Sequence, residues 1–320
     1  MRLIALLLTL SFSFNCVAQN QRVWIDTDIM IGKFKHDVDD GLALILALSD
    51  TSLQIEGISF VHGVDYAAEV TDKLLKRYAS ERNIPTYKGA DDSTQFMQET
   101  AAVEALTKAL QQGPLTIMAL GPMTNIGTVL ELHPELKHNI KRITYCAGRT
   151  PGKLFNPGGG GTKFSDYNFD LDPYATAMVL KANVPVLLSG YECSENLFLN
   201  KQDFKHLKKS EHETDRWLYK KLKSWHCLWR TFMGSKKGFI PFDCATVGAL
   251  LYPDEFETTN FIPAYIEVQE NDSKHTVKTK TKPYLLVAEG AGGRIVSFCS
   301  NSKPEFKDRL LKALGHPNYK

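Results

Sequence analysis

The sequence carries almost no excess charge of either sign. Its 320 residues include 38 lysines and arginines against 36 aspartates and glutamates, a formal net charge of +2. This balance argues against nucleic acid as a partner, because binding to a phosphate backbone depends on a pronounced positive field. The short basic runs at 205–209 and 220–223 are typical of solvated helix faces.

Cysteines are few, and none has the spacing of a metal site. Five remain once the amino-terminal segment is set aside, namely Cys146, Cys193, Cys227, Cys244 and Cys299. Most lie in apolar surroundings, where cysteine behaves as a small buried hydrophobic residue. An oxidising compartment would allow one disulfide bond, although the sequence does not identify its partners.

Long hydrophobic runs are also scarce, and the one that stands out lies at the amino terminus. An early Arg2, an apolar run over 3–14 and Cys16-Val17-Ala18 together form the pattern of a secretory signal peptide, residues 1–18. Lipidation of Cys16 is the alternative, but the residues before it are bulky for a lipoprotein cleavage site. The run is too short to span a bilayer comfortably, so we expect export without a membrane span.

We expect residues 19–320 to form one α/β domain. Hydrophobic residues make up 43% of the chain, enough for a sizeable core. Strand-like and helix-like segments alternate, which predicts a Rossmann-like, mostly parallel sheet with helices on both faces. The polar, alternating stretch 262–282, around Asn271-Asp272, predicts a hairpin. The predicted strands are 23–25, 53–61, 115–119, 140–145, 184–188, 284–288 and 295–298, and the predicted helices are 39–49, 67–79, 100–111, 122–132, 173–181 and 213–233.

Four aspartates surround the first strand-to-helix junction. Asp26 and Asp28 follow the strand, and Asp39 and Asp40 open the next helix. Open α/β sheets bind ligands at the carboxyl ends of their strands, so these side chains reach a binding edge. Such close carboxylates favour a Ca²⁺ or Mg²⁺ ion among them, because these ions take oxygen ligands. Capping and turn formation are the competing interpretation for any single Asp.

Two later segments reach the same edge of the sheet. The strand 115–119 runs into Gly121-Pro122, where glycine gives backbone freedom and proline suits a first helical turn. After the strand 140–145, the chain enters a loop with the glycine run 158–161. That run lacks the Lys-Ser/Thr of a phosphate-binding loop, so we interpret it as a lid or turn.

Three further polar residues follow that loop. Asp166 and Asn168 alternate on a segment that we expect to be extended, so both can face one pocket. Asp243 precedes an apolar helix and is either an N-cap or a further ligand. Its position alone favours the cap.

Together these segments resemble the inosine-uridine nucleoside hydrolase family. The matching segments occur in the family's order and spread over nearly the whole chain after residue 18. They are Asp26-Thr27-Asp28 with Asp39-Asp40-Gly41-Leu42-Ala43-Leu44, the segment 119–126, Asp166-Tyr167-Asn168 with Asp172-Pro173, and Asp243 before its helix. The resemblance implies a hydrolase of N-glycosidic bonds with one Ca²⁺ at the base of a ribose pocket.

The resemblance also implies a ligand set for the ion. Asp28, Asp40, the backbone carbonyl of Thr124 and Asp243 would bind calcium. Asp26 would support this loop from behind. Such an ion lowers the pKa of the attacking water, and Asp28 would accept that water's proton as the general base.

Substrate contacts are implied in the same way. Asp39, Asn168 and Asp243 would meet the ribose 2′- and 3′-hydroxyls. Asp166 would stand near the 5′-hydroxyl, where the family has Glu. The surrounding carboxylates would stabilise the positive charge that develops on the sugar.

The chain departs from the family pattern at three places. The segment 29–38, which contains His36 and Asp37, lengthens the spacing between the aspartate pairs, and we expect it to bulge outward. Phe242 stands where purine-cleaving members have the His that protonates the departing base. The family's Asn in the loop before Asp166 is replaced near Gly160.

A substitute acid has two candidates. His226 lies on the predicted helix 213–233 between Trp225 and Trp229. Core packing is the favoured interpretation of these aromatic residues, and stacking on a nucleobase is the alternative. His62, just after the second strand, is the other candidate at the pocket edge.

The sequence therefore predicts an exported, calcium-dependent nucleoside hydrolase that acts on a small-molecule nucleoside. A secreted ribose- or glycoside-binding protein that has lost catalysis is one alternative, and a hydrolase of another N-riboside is a second. Dimers or tetramers are common among such hydrolases, so we expect a homo-oligomer, although no segment specifies its interface.

Overall fold

The computed structural model describes residues 20–156, 163–273 and 276–319. The predicted signal peptide and the glycine run 158–161 lie outside these residues. The described part is built on one nine-stranded sheet. Its strands are β1 (Gln21–Thr27), β2 (Leu53–Phe60), β3 (Thr86–Lys88), β4 (Leu115–Ala119), β5 (Ile140–Tyr145), β6 (Val186–Leu188), β7 (Phe256–Glu270), β8 (Thr281–Val287) and β9 (Arg294–Ser302).

The strand order is β3-β2-β1-β4-β5-β6-β9-β7-β8. Strands β1 to β6 and β9 pair in parallel, whereas β7 pairs antiparallel with both β8 and β9. The first six strands follow the order of doubly wound nucleotide-binding folds, in which the chain reverses direction across the sheet beside β1. The carboxyl ends of β1 and β4 therefore lie side by side at that point.

Ten α-helices belong to the described residues. They are α1 (Asp39–Ser49), α2 (Val64–Tyr78), α3 (Ala101–Gln111), α4 (Thr124–Leu132), α5 (Tyr167–Leu171), α6 (Pro173–Lys181), α7 (Tyr191–Ser194), α8 (Glu213–Phe232), α9 (Phe242–Leu251) and α10 (Pro304–Ala313). The predicted helices 39–49 and 173–181 have the observed bounds. Asp172 caps α6 through the amide of Ala175, and Pro173 begins that helix, as the sequence predicts.

The sheet separates two hydrophobic cores. On β1, Val23 and Ile25 face one core and Trp24 faces the other, because successive strand residues point to opposite faces. Helices α1, α2, α8, α9 and α10 contribute to the first core, and α3, α4 and α6 to the second. The prediction of helices on both faces is confirmed.

Three local predictions need correction. The hairpin pairs β7 with β8, so its second strand extends to Val287 instead of ending at 282. The sequence predicts no strand at β3, since three residues are too few to show a period. Asp166 and Asn168 do not lie on an extended segment, because Asp166 caps α5 and Asn168 lies within it.

Two of the five cysteines form a buried disulfide bond. Cys193 on α7 is linked to Cys299 on β9, with their Cα atoms 5.1 Å apart. Cys244 is buried and Cys146 partly so, as expected for small apolar residues, but Cys227 is exposed. Within the described ranges no helix is both long and apolar enough to cross a membrane.

Candidate active site

A cavity of about 510 Å³ opens at the carboxyl edge of the sheet. Five parallel strands each deliver a residue to it within two positions of their ends, which explains why the site forms there. These residues are Asp28 after β1, His62 after β2, Leu120 after β4, Cys146 after β5 and Gly190 after β6.

The floor of this cavity is acidic. Six aspartates line it, namely Asp28, Asp37, Asp39, Asp40, Asp166 and Asp243. Helix capping does not account for Asp39 and Asp40 on α1 or for Asp243 on α9, because neither helix has a side-chain cap. Their N-cap residues are Val38 and Pro241. Asp243 lies inside the first turn of α9, so the preference for a cap at that position is wrong.

Burial and mutual repulsion raise the pKa values of these carboxyl groups. Burial raises the pKa of Asp40 to about 7 and that of Asp37 to about 6, with the charge of Asp37 adding to the effect on Asp40. Burial and then the charges of neighbouring aspartates raise the pKa values of Asp28, Asp39 and Asp243 well above the usual range. A bound cation would reverse these shifts, because it favours the charged form.

The donor set fits a hard divalent ion. Oxygen atoms of Asp37, Asp39 and Asp40 lie within 4.8 Å of one another. One oxygen of Asp39, Oδ1, is buried and has no hydrogen-bond partner among the described residues. The other, Oδ2, accepts from the amide of Phe242 at 3.0 Å. Calcium and magnesium prefer such carboxylate oxygens.

This cluster overlaps the predicted ligand set only in part. Asp40 belongs to both, and Asp28 and Asp243 line the same cavity. Thr124 does not line it, and its carbonyl oxygen accepts from Oγ1 of Thr128 at 2.8 Å. The sequence predicts no ligand role for Asp37, which belongs to the lengthened spacing between the aspartate pairs. Its separation of two residues from Asp39 was the signal that could have marked it as a ligand.

Asp26 does not reach the cavity, and it connects three strand ends behind the site. Its carboxylate accepts from Oγ of Ser59 and from Nδ2 of Asn125, the latter at 2.9 Å. Its carbonyl oxygen accepts from the amide of Leu120 at 2.8 Å. Burial raises the pKa of Asp26 to about 7. These contacts agree with the supporting position that the resemblance implies.

Gly121 lets the turn after β4 approach the aspartates. A Cβ atom at this position would lie 2.6 Å from Val61, 3.0 Å from the amide nitrogen of Asp28 and 3.1 Å from its Oδ1. Real Cβ atoms do not approach this closely to neighbours without displacing them. Glycine is therefore required here for close approach.

Asp166 and Asn168, which also line the cavity, are held by hydrogen bonds to the ends of neighbouring strands. Nδ2 of Asn168 donates to the carbonyls of Leu120 at 2.6 Å and Cys146 at 3.0 Å, which fixes the side chain at the ends of β4 and β5. Asp166 accepts from the amide of Gly148 at 2.7 Å and caps α5. Burial raises its pKa to about 6. The predicted ribose contacts are thus brought together.

The segment 29–38 does not simply bulge outward. Its beginning is buried, with Ile29 and Ile31 fully enclosed, and its end returns His36 and Asp37 to the cavity. Only its tip is exposed, with Phe34 83% accessible. The hydroxyl of Tyr66 donates to the carbonyl of Ile31, and Nζ of Lys221 donates to that of Gly32. Contacts to α2 and α8 therefore hold this segment as part of the cavity wall.

Aromatic side chains form another part of the cavity wall. Trp225 and Trp229 line the cavity, and the Trp229 ring stacks on Phe164 with centroids 5.7 Å apart. Trp229 is also buried, so it serves the core and the cavity at once. His226 points elsewhere: its ring packs edge-on against Phe204, and it does not line the cavity. The candidate acid His226 is therefore not in the site.

The fold and the pocket define an α/β protein with an acidic site suited to a metal ion and an adjoining aromatic wall. A sequence model described as inosine-uridine preferring nucleoside hydrolase matches residues 23–297. Because this match covers most of the chain, the protein belongs to that family.

The curated relatives match a smaller part of this chain than the family model does. Over 194 residues the chain is 25% identical to the pyrimidine-specific ribonucleoside hydrolase RihA of Escherichia coli K12 and to that of E. coli O1:K1. The match covers 52% of this chain and 60% of each relative. The chain thus spans under two thirds of these relatives.

Solved structures resemble the fold over almost its full length. A plant nucleoside hydrolase has a TM-score of 0.72 at 19% identity and covers 93% of this chain and 100% of its own. A purine-preferring ribonucleoside hydrolase from Gardnerella vaginalis has a TM-score of 0.71 at 17% identity, and the match covers 92% of this chain and 98% of the other. An inosine-uridine preferring nucleoside hydrolase from Bacillus anthracis has a TM-score of 0.69 at 16% identity, covering 92% and 99%. At these identities the likeness establishes the fold.

Proposed function

We propose that the protein hydrolyses the N-glycosidic bond of ribonucleosides to free base and ribose, with Ca²⁺ as its cofactor. The observation that carries the proposal is the cluster of buried carboxylates at the switch point of the sheet. It lies beside Asn168, whose amide is fixed toward the ends of β4 and β5. Membership of the nucleoside hydrolase family supports the reaction class.

The side chains of the cavity suit this reaction. Cleavage leaves positive charge on the ribosyl ring, and the acidic floor provides stabilising negative charge without reorganisation. Asp28, at the end of β1, accepts the proton of the attacking water. Asp39, Asn168 and Asp243 hold the sugar diol. A calcium ion among Asp28, Asp37, Asp40 and Asp243 would supply the charge that lowers the pKa of that water.

The aromatic wall suits the base. Trp225 lines the cavity and is half-buried, so its ring offers a flat apolar surface, and Trp229 is buried next to it. Stacking on such surfaces contributes to the binding of any purine or pyrimidine, since each has a π face. This wall supports a nucleoside, and it does not select one base.

Export is the location we propose. The apolar amino-terminal run and the Cys193–Cys299 disulfide bond both support it, because disulfide bonds persist in oxidising compartments. We also propose a homo-oligomer, which light scattering on the purified protein would test.

The reaction is tested with a panel of purine and pyrimidine nucleosides and a reducing-sugar assay. We expect ribose release that stops on chelation, returns with Ca²⁺ and is lost in Asp28→Asn. Asp72→Asn, on an exposed pair with Lys76, is the matched control and keeps full activity. Sugar release that survives both chelation and Asp28→Asn would refute the proposal.

Calcium binding has its own readout in thermal unfolding. Ca²⁺ at 100 times its dissociation constant stabilises the folded state by about 2.7 kcal/mol, which raises the melting temperature by several degrees. Asp37→Asn and Asp40→Asn should reduce this rise, whereas Asp72→Asn should not. An equal rise in all three variants would place the ion elsewhere.

A secreted sugar-binding protein is the second candidate. Phe242 favours it, because this side chain cannot donate a proton at the position where purine-cleaving relatives carry His. Calorimetry that detects ribose binding without any product from the nucleoside panel would support this candidate over the enzyme.

A further inference from the structure

The departing base needs a proton, and Phe242 cannot supply one. Its ring packs among Tyr191 and Trp229, in the apolar part of the cavity wall. Among the described residues, two histidines line the cavity, His36 and His62. Histidine is the side chain best suited to proton transfer near neutral pH.

The backbone of His62 is held in an unusual conformation. Its φ is +60°, in the left-handed region that residues other than glycine rarely adopt, and Gly63 follows with φ +69°. The amide of His62 donates to the carbonyl of Ala90 at 2.9 Å. The amides of Gly63 and Val64 donate to Oδ1 of Asp91 at 2.6 and 3.1 Å.

This conformation has an energetic cost that the neighbouring hydrogen bonds offset. A non-glycine residue in the left-handed region costs about 1–3 kcal/mol, and such residues cluster at functional sites. Here the strained turn directs the imidazole from the end of β2 into the cavity. If the position served only to form the turn, glycine would suit it better than histidine, because glycine adopts the same φ without strain.

The imidazole meets a residue between the two predicted ribose contacts. Nε2 of His62 lies 3.5 Å from the hydroxyl of Tyr167, and the rings are edge-on with centroids 6.2 Å apart. Tyr167 stands between Asp166 and Asn168 in the chain. A hydroxyl can accept from a protonated imidazole and donate to a neutral one, so this contact persists in both protonation states. Tyr167 thus positions the ring beside the sugar site.

We infer that His62 is the catalytic acid that protonates the departing base, with Tyr167 as its positioning residue. The inference rests on the proposed function. The C1′–N bond breaks, and its electron pair goes to the base nitrogen. The base receives a proton from the His62 imidazolium, while the water oxygen bonds to C1′ and its proton passes to Asp28. Exchange with solvent then returns a proton to His62 and removes one from Asp28.

The neighbours of His62 define the competing donor. Asp92 and His36 both lie near enough to His62 to interact with it electrostatically. Asp92 is exposed on the loop after β3. His36, from the segment 29–38, shares the cavity and could donate a proton in place of His62. The experiment therefore includes both histidines.

Two substrates separate proton donation from a structural role. A natural nucleoside such as uridine needs a proton on its leaving group. The 4-nitrophenyl β-ribofuranoside does not, since 4-nitrophenolate is a stable anion. His62→Gly and His62→Asn both tolerate a positive φ, so they keep the turn. We expect kcat on the nucleoside to fall by about 10²- to 10⁴-fold, as for loss of a general acid, and kcat on the nitrophenyl riboside to change by less than about threefold.

Added imidazole provides a second readout. It should restore part of the nucleoside activity of His62→Gly, because glycine leaves space for it, and should not affect the wild-type protein. Tyr167→Phe should lower nucleoside turnover less than His62→Gly does and should spare the nitrophenyl riboside. His138→Asn, at an exposed position of the 3₁₀ helix Pro134–Asn139, is the matched histidine control and should leave both rates unchanged.

Three outcomes would overturn the inference. Equal losses on both substrates in His62→Gly would assign His62 a structural role. A selective loss in His36→Asn, with none in His62→Gly, would make His36 the acid. Unchanged rates on both substrates in both variants would show that neither histidine is the acid. By contrast, a wild-type protein that cleaves no nucleoside of the panel would refute the proposed function itself.

Discussion

The ammonium group of Lys282 lies 2.8 Å from Oδ1 and 2.5 Å from Oδ2 of Asp170, and each side chain is 1% accessible. This pair joins β8 to α5, the short helix that carries Asn168. A strand of the antiparallel edge thereby fixes the helix that supports the predicted ribose contacts.

Removing one partner of this pair should be costly. Lys282→Met leaves the Asp170 carboxylate buried without its counterion, and we expect a loss of about 3–5 kcal/mol in unfolding free energy. The double variant Lys282→Met with Asp170→Leu should recover most of that loss, since it removes both charges. Urea unfolding of the three proteins measures the difference. A double variant as unstable as the single one would contradict this account.

A second ion pair predicts a pH dependence. Burial alone would raise the pKa of Asp215, but hydrogen bonds from Arg77, Ser210 and Tyr78 outweigh it and hold this pKa below its usual value. The stabilisation that the Asp215 carboxylate provides is therefore complete above the pKa that Asp215 has in the unfolded chain. It is lost as the pH falls toward the lower pKa that Asp215 has in the folded protein.

The variant Arg77→Met tests that sign. At pH 7 we expect it to lower the unfolding free energy by about 1.5–3 kcal/mol, typical of hydrogen bonds to a charged group. The difference in unfolding free energy between Arg77→Met and the wild-type protein should become smaller as the pH is lowered from 5 to 3.5. Urea unfolding at several pH values measures it, and a gap that widens on acidification would refute the assignment.

Gly121→Ala should impair the site more than the fold. The added Cβ would press on Val61 and on the Asp28 backbone, displacing the proposed general base. We expect an overpacking cost of about 1–3 kcal/mol and a clear loss of kcat. Gly292→Ala is the control, since nothing lies within 4 Å of its added Cβ. Full activity in Gly121→Ala would show that Asp28 tolerates displacement.

The disulfide bond should stabilise the region around α7. Cys193 and Cys299 are 106 residues apart, so their bond closes a long loop in the unfolded chain. We expect the double substitution to alanine to cost about 2–4 kcal/mol. Mass spectrometry after alkylation of the unfolded, unreduced protein should find both cysteines unlabelled. Labelling of either one would show that the bond is absent.

The sequence predicted the features that depend on local pattern. The alternation of strands and helices predicted the sheet, and the aspartates around the first junction predicted its acidic edge, because a strand end and the next helix start are close in any such unit. His62 was predicted at the pocket edge for the same reason, since it directly follows β2.

Features that depend on distant contacts were harder to predict. Hydrogen bonds from Tyr66 and Lys221 fix the course of the segment 29–38, and Lys221 lies 189 residues from its partner Gly32. No periodicity within the segment indicates such contacts. The ring of His226 packs against Phe204, which lies in a turn outside α8. The predicted hairpin is confirmed, but its second strand ends at Val287, beyond the predicted limit of residue 282.

Two backbone carbonyls of the segment 29–38, those of Ile31 and Gly32, accept hydrogen bonds from side chains of α2 and α8. The side chain of Lys35 takes no part in these bonds and lines the cavity. Substitution of Lys35 would therefore change which compounds the cavity admits and leave both bonds in place.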